Sequence, residues 1–146
     1  MADVVDDLSQ LIGNTPLLRL RRFAPDTKCE LLAKLELFNP YSIKDRTVLS
    51  MVRDAEARGV LQPGGTVVEA TSGNTGLALA MLATLRDYRC VLVMSAIQST
   101  ERRQLLKALG AELVLTPKEG GTKVARTEAK RIAAETGAFY IGQHDN

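Results

Sequence analysis

The chain has 146 residues and a mass of 15.9 kDa, room for one ordinary domain. Its 45% apolar and 25% charged residues exclude a disordered tail, and no run reaches the ~18–20 apolar residues of a membrane span. The 19 basic and 17 acidic residues leave a net charge of +2 with no basic, aromatic-bearing patch, so nucleic acid is not an indicated partner.

The opening, MADVVDDLSQ, is acidic and polar, unlike a targeting segment. Leu17–Leu20 and Glu30–Glu36 then read as two short strands joined by a turn-forming stretch, Phe23–Thr27. A helix is predicted over Asp45–Arg58, with Val48, Leu49, Met51, Val52 and Ala55 on one side and Gly59 ending it. Four strand-like runs follow at Thr66–Ala70, Arg89–Met94, Ala111–Leu115 and Ala138–Ile141. Helical patterns separate them. The one after Thr75 is almost continuously apolar, as in a helix packed hard on a sheet. Thr100–Leu109 turns Leu105, Leu106 and Leu109 inward, and Thr122–Thr136 repeats the scheme with Ala125, Ala129, Ile132 and Ala133. Gly110 and Gly137 stand just past these helices, where a left-handed residue is wanted. Strand and helix alternating at 22 to 27 residues predicts α/β architecture: a parallel sheet between helices in three layers, plus the N-terminal strand pair. Cys29 and Cys90 lie 61 positions apart with no Cys/His cluster, which suggests neither a disulfide framework nor a metal site and fits a reducing cytoplasm.

Ligands of open α/β sheets sit beyond the carboxyl ends of the strands. Two such places carry chemistry. After the first βαβ strand comes Thr71-Ser72-Gly73-Asn74-Thr75-Gly76, leading directly into a helix. Free N–H groups and the positive dipole end form an anion receptor there, and the hydroxyls of Thr71, Ser72 and Thr75 suit a carboxylate. Glycines 73 and 76 let the backbone approach a ligand or the sheet. The same residue types also serve as ordinary helix N-caps. The second place is Asn39-Pro40-Tyr41-Ser42-Ile43-Lys44-Asp45-Arg46. Lys44 falls in a first helical turn, where the local positive field favours the neutral amine that a carbonyl-attacking nucleophile needs. The plain alternative is a solvated lysine paired with Asp45.

Together with Leu11-Ile12-Gly13-Asn14-Thr15-Pro16-Leu17, these two segments closely resemble the cysteine synthase and cystathionine β-synthase family. Its members are fold type II pyridoxal-phosphate enzymes. The resemblance runs from Leu11 to Asn146, and Glu69–Gly76 with Gln143-His144-Asp145-Asn146 is most similar to the O-acetylserine sulfhydrylase branch. It implies that Lys44 holds pyridoxal 5′-phosphate covalently and moves the Cα proton, and that Asn74 bonds the cofactor's 3′-oxygen. It implies that Thr71, Ser72, Gly73, Thr75 and Gln143 receive the substrate α-carboxylate, with β-replacement on an O-acetylserine-like substrate as the reaction. It further implies that residues 1–37 belong with an absent large domain and 38–146 form the small mobile α/β domain. Family members are about twice as long, and the Gly/Thr-rich phosphate cup is not found in these 146 residues, so an incomplete chain, completed by a second half or acting as a homodimer, is expected. Lys118–Thr122 has a similar composition but the wrong place. Tyr41, and Ser95–Gln98 where a proline is usual, depart from the family pattern. A catalytically inactive α/β binding or regulatory module keeping the fold is the alternative.

Overall fold

A computed structural model describes residues 4–145; Met1–Asp3 of the acidic opening and Asn146 of the closing motif lie outside the described residues. Six strands and four α-helices are present among them: β1 Leu17–Arg19, β2 Leu32–Lys34, α1 Lys44–Ala57, β3 Thr66–Ala70, α2 Asn74–Leu85, β4 Arg89–Ser95, α3 Thr100–Ala108, β5 Glu112–Thr116, α4 Gly121–Thr136 and β6 Phe139–Tyr140.

The main sheet has the order β5-β4-β3-β6, and every pairing in it is parallel. Its central strands, Thr-Val-Val-Glu-Ala and Arg-Cys-Val-Leu-Val-Met-Ser, are nearly continuously buried, as strands covered on both faces must be. Alternation along β3 sorts the side chains. Val68 and Ala70 pack with Val91 and Val93 under α4, through Ala125 and Ala129. Val67 joins Cys90, Leu92 and Met94 on the opposite face, against α2. Helix α2 is sandwiched between this face and α1, and Ala78, Leu79, Ala80 and Leu82 retain no exposure. That explains its lack of a polar side. Gly110 and Gly137 take φ of +87° and +72°, the conformation expected of them.

Helix α3 corrects one expectation. Leu106 is buried, but Leu105 is 45% exposed and faces away from the core. A nine-residue helix over edge strand β5 has only one row of side chains to bury. The strands β1 and β2 form a separate antiparallel ribbon with Leu18 opposite Ala33. Each spans three residues, shorter than predicted, because no further strand or helix extends the pairing. Leu17, Leu18 and Leu32 stay 47–58% exposed. Among the described residues no helix is long and apolar enough to cross a membrane.

Candidate functional site

From β3 the chain proceeds through β4 to β5 on one side, whereas β6 returns to pair on the other. The carboxyl ends of β3 and β6 thus form a topological switch point, where a crevice opens in such sheets. Two segments meet there. Residues 71–73 link β3 to α2, and residues 141–145 follow β6.

The N-cap alternative fails at α2. Its N-cap is Gly73, with no side-chain capping bond. Thr71 Oγ1 instead accepts the Gly73 N–H at 3.3 Å. The N–H groups of Asn74 and Thr75 find no partner among the described residues, so the helix start remains open as an anion receptor. The two glycines have separate tasks. A Cβ at Gly73 would meet nothing within 4 Å, so this side is open space. A Cβ at Gly76 would lie 3.1 Å from Thr71 Cγ2, 3.4 Å from Leu92 Cδ1 and 3.5 Å from Leu106 Cδ2, so glycine lets the helix sit down on the sheet. On the α4 side, Thr71, Ser72, Ser95 and Thr122 border a cavity of only about 20 Å³. That volume suits a water molecule, not an organic ligand.

Thr75 is buried and its hydroxyl donates to Gln143 Oε1 at 2.6 Å, a bond spanning 68 residues of sequence. The hydroxyl proton is therefore already committed, and the N–H is what Thr75 has left to offer. Behind this pair lies Glu69, which sequence reasoning did not single out. It retains no exposure, and its carboxylate accepts the Ala70 N–H at 2.7 Å and the Gln143 N–H at 3.0 Å. Burial pushes its pKa up, against the pull of these N–H donors. The available signal was a lone carboxylate inside the apolar run Val67-Val68-Glu69-Ala70.

Lys44 is the first residue of α1. Its position follows from the far ends of the helices. Arg86, capping α2, is ion-paired with Glu56 in the last turn of α1, and Tyr88 donates to the same carboxylate. Helices packed along their length and joined at their carboxyl ends run parallel. Lys44 precedes Glu56, and Asn74 precedes Arg86, by the same twelve positions, about 18 Å of helix. Both helix starts therefore lie at the carboxyl edge of the sheet. Lys44 and Asn74 are exposed, and neither side chain is engaged by a described residue.

Of the plain alternative, the solvated lysine holds, since Lys44 is exposed, but the pairing does not: Asp45 does not pair with Lys44. Its side chain is fully buried, and Oδ2 accepts the N–H groups of Tyr41 at 2.7 Å and Ser42 at 3.1 Å. It thereby shapes the turn that delivers Lys44, while Oδ1 is buried without a partner. At the next residue, Arg46 grips Glu36 through two bonds of 2.7 and 3.0 Å. Thr15 and Asn39 each donate to the same carboxylate at 2.8 Å, and Asn39 Oδ1 accepts the Gly13 N–H. This hub ties the N-terminal segment, the 3-10 turn at Glu36–Phe38 and α1 together. The Arg46 guanidinium, with Thr15 and Asn39, holds Glu36 down to about 2. Cys90, by contrast, is a core residue whose thiol burial pushes up to about 12.

A family profile described as pyridoxal-phosphate dependent enzyme matches residues 8–146. Cysteine synthase B of Escherichia coli is 49% identical over 140 residues, covering 95% of this chain and 46% of the relative. Cysteine synthase of Staphylococcus aureus is 46% identical over 143 residues, covering 97% and 46%. The crystal structure of O-ureido-L-serine synthase matches at a TM-score of 0.89 and 47% identity, over 99% of this chain and 46% of that one. The chain thus spans about half the length of the curated relatives it matches. Its parallel sheet between helices, with the added strand pair, is the fold of that type II neighbour. The open helix start, the unengaged lysine and these similarities converge: the chain belongs to the pyridoxal-phosphate dependent enzyme family.

Proposed function

We propose that this chain supplies the lysine-bearing part of a cytoplasmic enzyme for β-replacement on a serine derivative. In the cysteine-forming version, O-acetylserine and sulfide give cysteine and acetate. One observation carries the reading: the unengaged Lys44 amine and the open start of α2 share one edge of the sheet.

The residues suit pyridoxal phosphate at its aldehyde and ring-oxygen ends. Lys44 Nζ would hold the aldehyde carbon, and the Asn74 amide would bond the 3′-oxygen. For the phosphate the fit is poorer. Gly120-Gly121-Thr122 opens α4 on the sheet face opposite α1 and α2, and the cavity that Thr122 shares with Thr71 and Ser72, about 20 Å³, is too small for a phosphate group. When bound, the cofactor supplies an electron sink for charge developing at the substrate Cα. The protein's share is positioning. The Asn74 and Thr75 N–H groups, the Thr71 and Ser72 hydroxyls and the Gln143 amide would orient the α-carboxylate, while Gly73 leaves room for it. Released after binding, Lys44 Nζ would take the proton from Cα.

The division into residues 1–37 and 38–146 belongs to the same reading. The exposed leucines of the β1–β2 ribbon suit a polypeptide partner, which we take to be a complementing second half rather than a second copy. Two free cysteines, Cys29 exposed and Cys90 buried, are compatible with the cytoplasm.

The test is incubation with pyridoxal phosphate, borohydride reduction and peptide mass mapping. Label concentrated on Lys44 is expected. Label shared among surface lysines such as Lys28 and Lys107, with no preference for Lys44, would refute the assignment.

A further inference from the structure

Glu69 is a fully buried carboxylate that the chemistry above leaves unused. It stands at the next-to-last position of β3, opposite Leu92 of β4, on the sheet face that carries α2. A buried carboxylate is costly unless its oxygens are satisfied. Here they are satisfied by backbone donors from two segments: Ala70, its neighbour, and Gln143, 74 residues away. The Gln143 turn is also held from its outer side. Asp145 bonds back to Gly142 at 2.7 Å and is ion-paired with Arg126 and Lys130 of α4.

The Gln143 side chain is fixed at one end only. Its Oε1 accepts the Thr75 hydroxyl, and no described residue engages Nε2. Two contacts therefore act in series. Glu69 sets the Gln143 backbone and Thr75 sets the amide carbonyl, so the two Nε2 hydrogens are left free on an amide bonded to the first turn of α2, whose Asn74 and Thr75 N–H groups are also free.

We propose that Glu69 is a positioning residue for carboxylate recognition: by holding the Gln143 N–H from inside the sheet, it keeps the Gln143 amide bonded to Thr75 with Nε2 free to donate to a substrate α-carboxylate. The proposal rests on the reading of residues 71–75 and Gln143 as the carboxylate site. A carboxylate is needed because both donors are N–H groups. Glutamine has one acceptor oxygen, so Glu69→Gln turns its NH₂ toward Ala70 N or Gln143 N, and the distant bond is the one to yield. Removing the buried charge lessens the desolvation penalty, which favours folding of this variant.

The experiment is calorimetric titration of the full chain with L-serine and with L-serinamide, which lacks the carboxylate. The unmutated protein should prefer serine by tenfold or more. Glu69→Gln should reduce that preference to threefold or less while leaving serinamide affinity unchanged. A purely structural role would lower the melting temperature and leave the ratio intact, which overturns the proposal. No preference in the unmutated protein overturns the carboxylate site itself, and the proposal with it. Should Glu69→Gln fail to fold, Glu69→Asp carries the same test, because it keeps the charge but draws the oxygens one methylene short of Gln143 N.

Discussion

The two glycines of the loop before and within α2 should respond oppositely to the same change, valine. At Gly76 the added Cβ meets Thr71 Cγ2 at 3.1 Å, and its methyl groups must fit against Leu92 and Leu106, both without exposure. Overpacking of this kind costs about 1–3 kcal/mol, and the higher helix propensity of valine returns about 0.5 kcal/mol at most. A net loss of about 2 kcal/mol is expected, lowering the melting temperature by roughly 6–8 °C for a chain of this size. At Gly73 the backbone is extended, with φ −109°, and nothing lies within 4 Å of the new Cβ. The stability loss there should stay below about 1 kcal/mol, the difference between a glycine and an aliphatic N-cap. Its effect belongs to binding, because the side chain fills the open space before the helix start. Thermal melts and serine titrations of both variants are the assay. Gly73→Val should lose at least tenfold in serine affinity with a nearly unchanged melt. A larger stability loss at Gly73 than at Gly76 would refute the division of roles.

Other outcomes follow from the hub and the cysteines. Glu36 is held down to about 2 from 4.5 in the folded chain, so its contribution to stability is complete above pH 4.5 and is lost as pH falls toward 2. The melting-temperature advantage of the unmutated protein over Glu36→Gln should therefore shrink steadily below pH 4.5; a constant gap between pH 7 and 3 would contradict the hub. Iodoacetamide at pH 8 should modify Cys29, which is exposed, and reach Cys90 only after denaturation, since burial raises that thiol to about 12. Equal labelling of both in the native protein would be incompatible with Cys90 lying in the core.

Much of the fold was legible because each element carries its own periodicity. Thr66–Ala70 was bounded as observed, and α1 and α4 to within a residue or so, since apolar spacing and terminal glycines are local signals. Leu105 was misread because spacing reveals which side chains share a face, not how much of that face a neighbour covers. The β1–β2 ribbon was overextended for a related reason: alternation predicts a strand, but its length depends on what it pairs with.

The site divides in the same way. Residue types marked Lys44 and Thr71–Thr75, because the chemistry of an amine and of an amide-rich helix start resides in them, whereas Gln143 was marked only by the family resemblance. Order also placed the loop at the carboxyl end of a parallel strand. Only the tertiary arrangement decided that Asp45 turns inward to the Tyr41 and Ser42 N–H groups, and that Thr75 spends its proton on Gln143. It likewise decided that β6 returns beside β3, bringing Glu69 within reach of a backbone N–H 74 residues away. Hydrogen bonds are directional and short-ranged, so a donor's partner is known only once the chain has brought distant segments within about 3 Å.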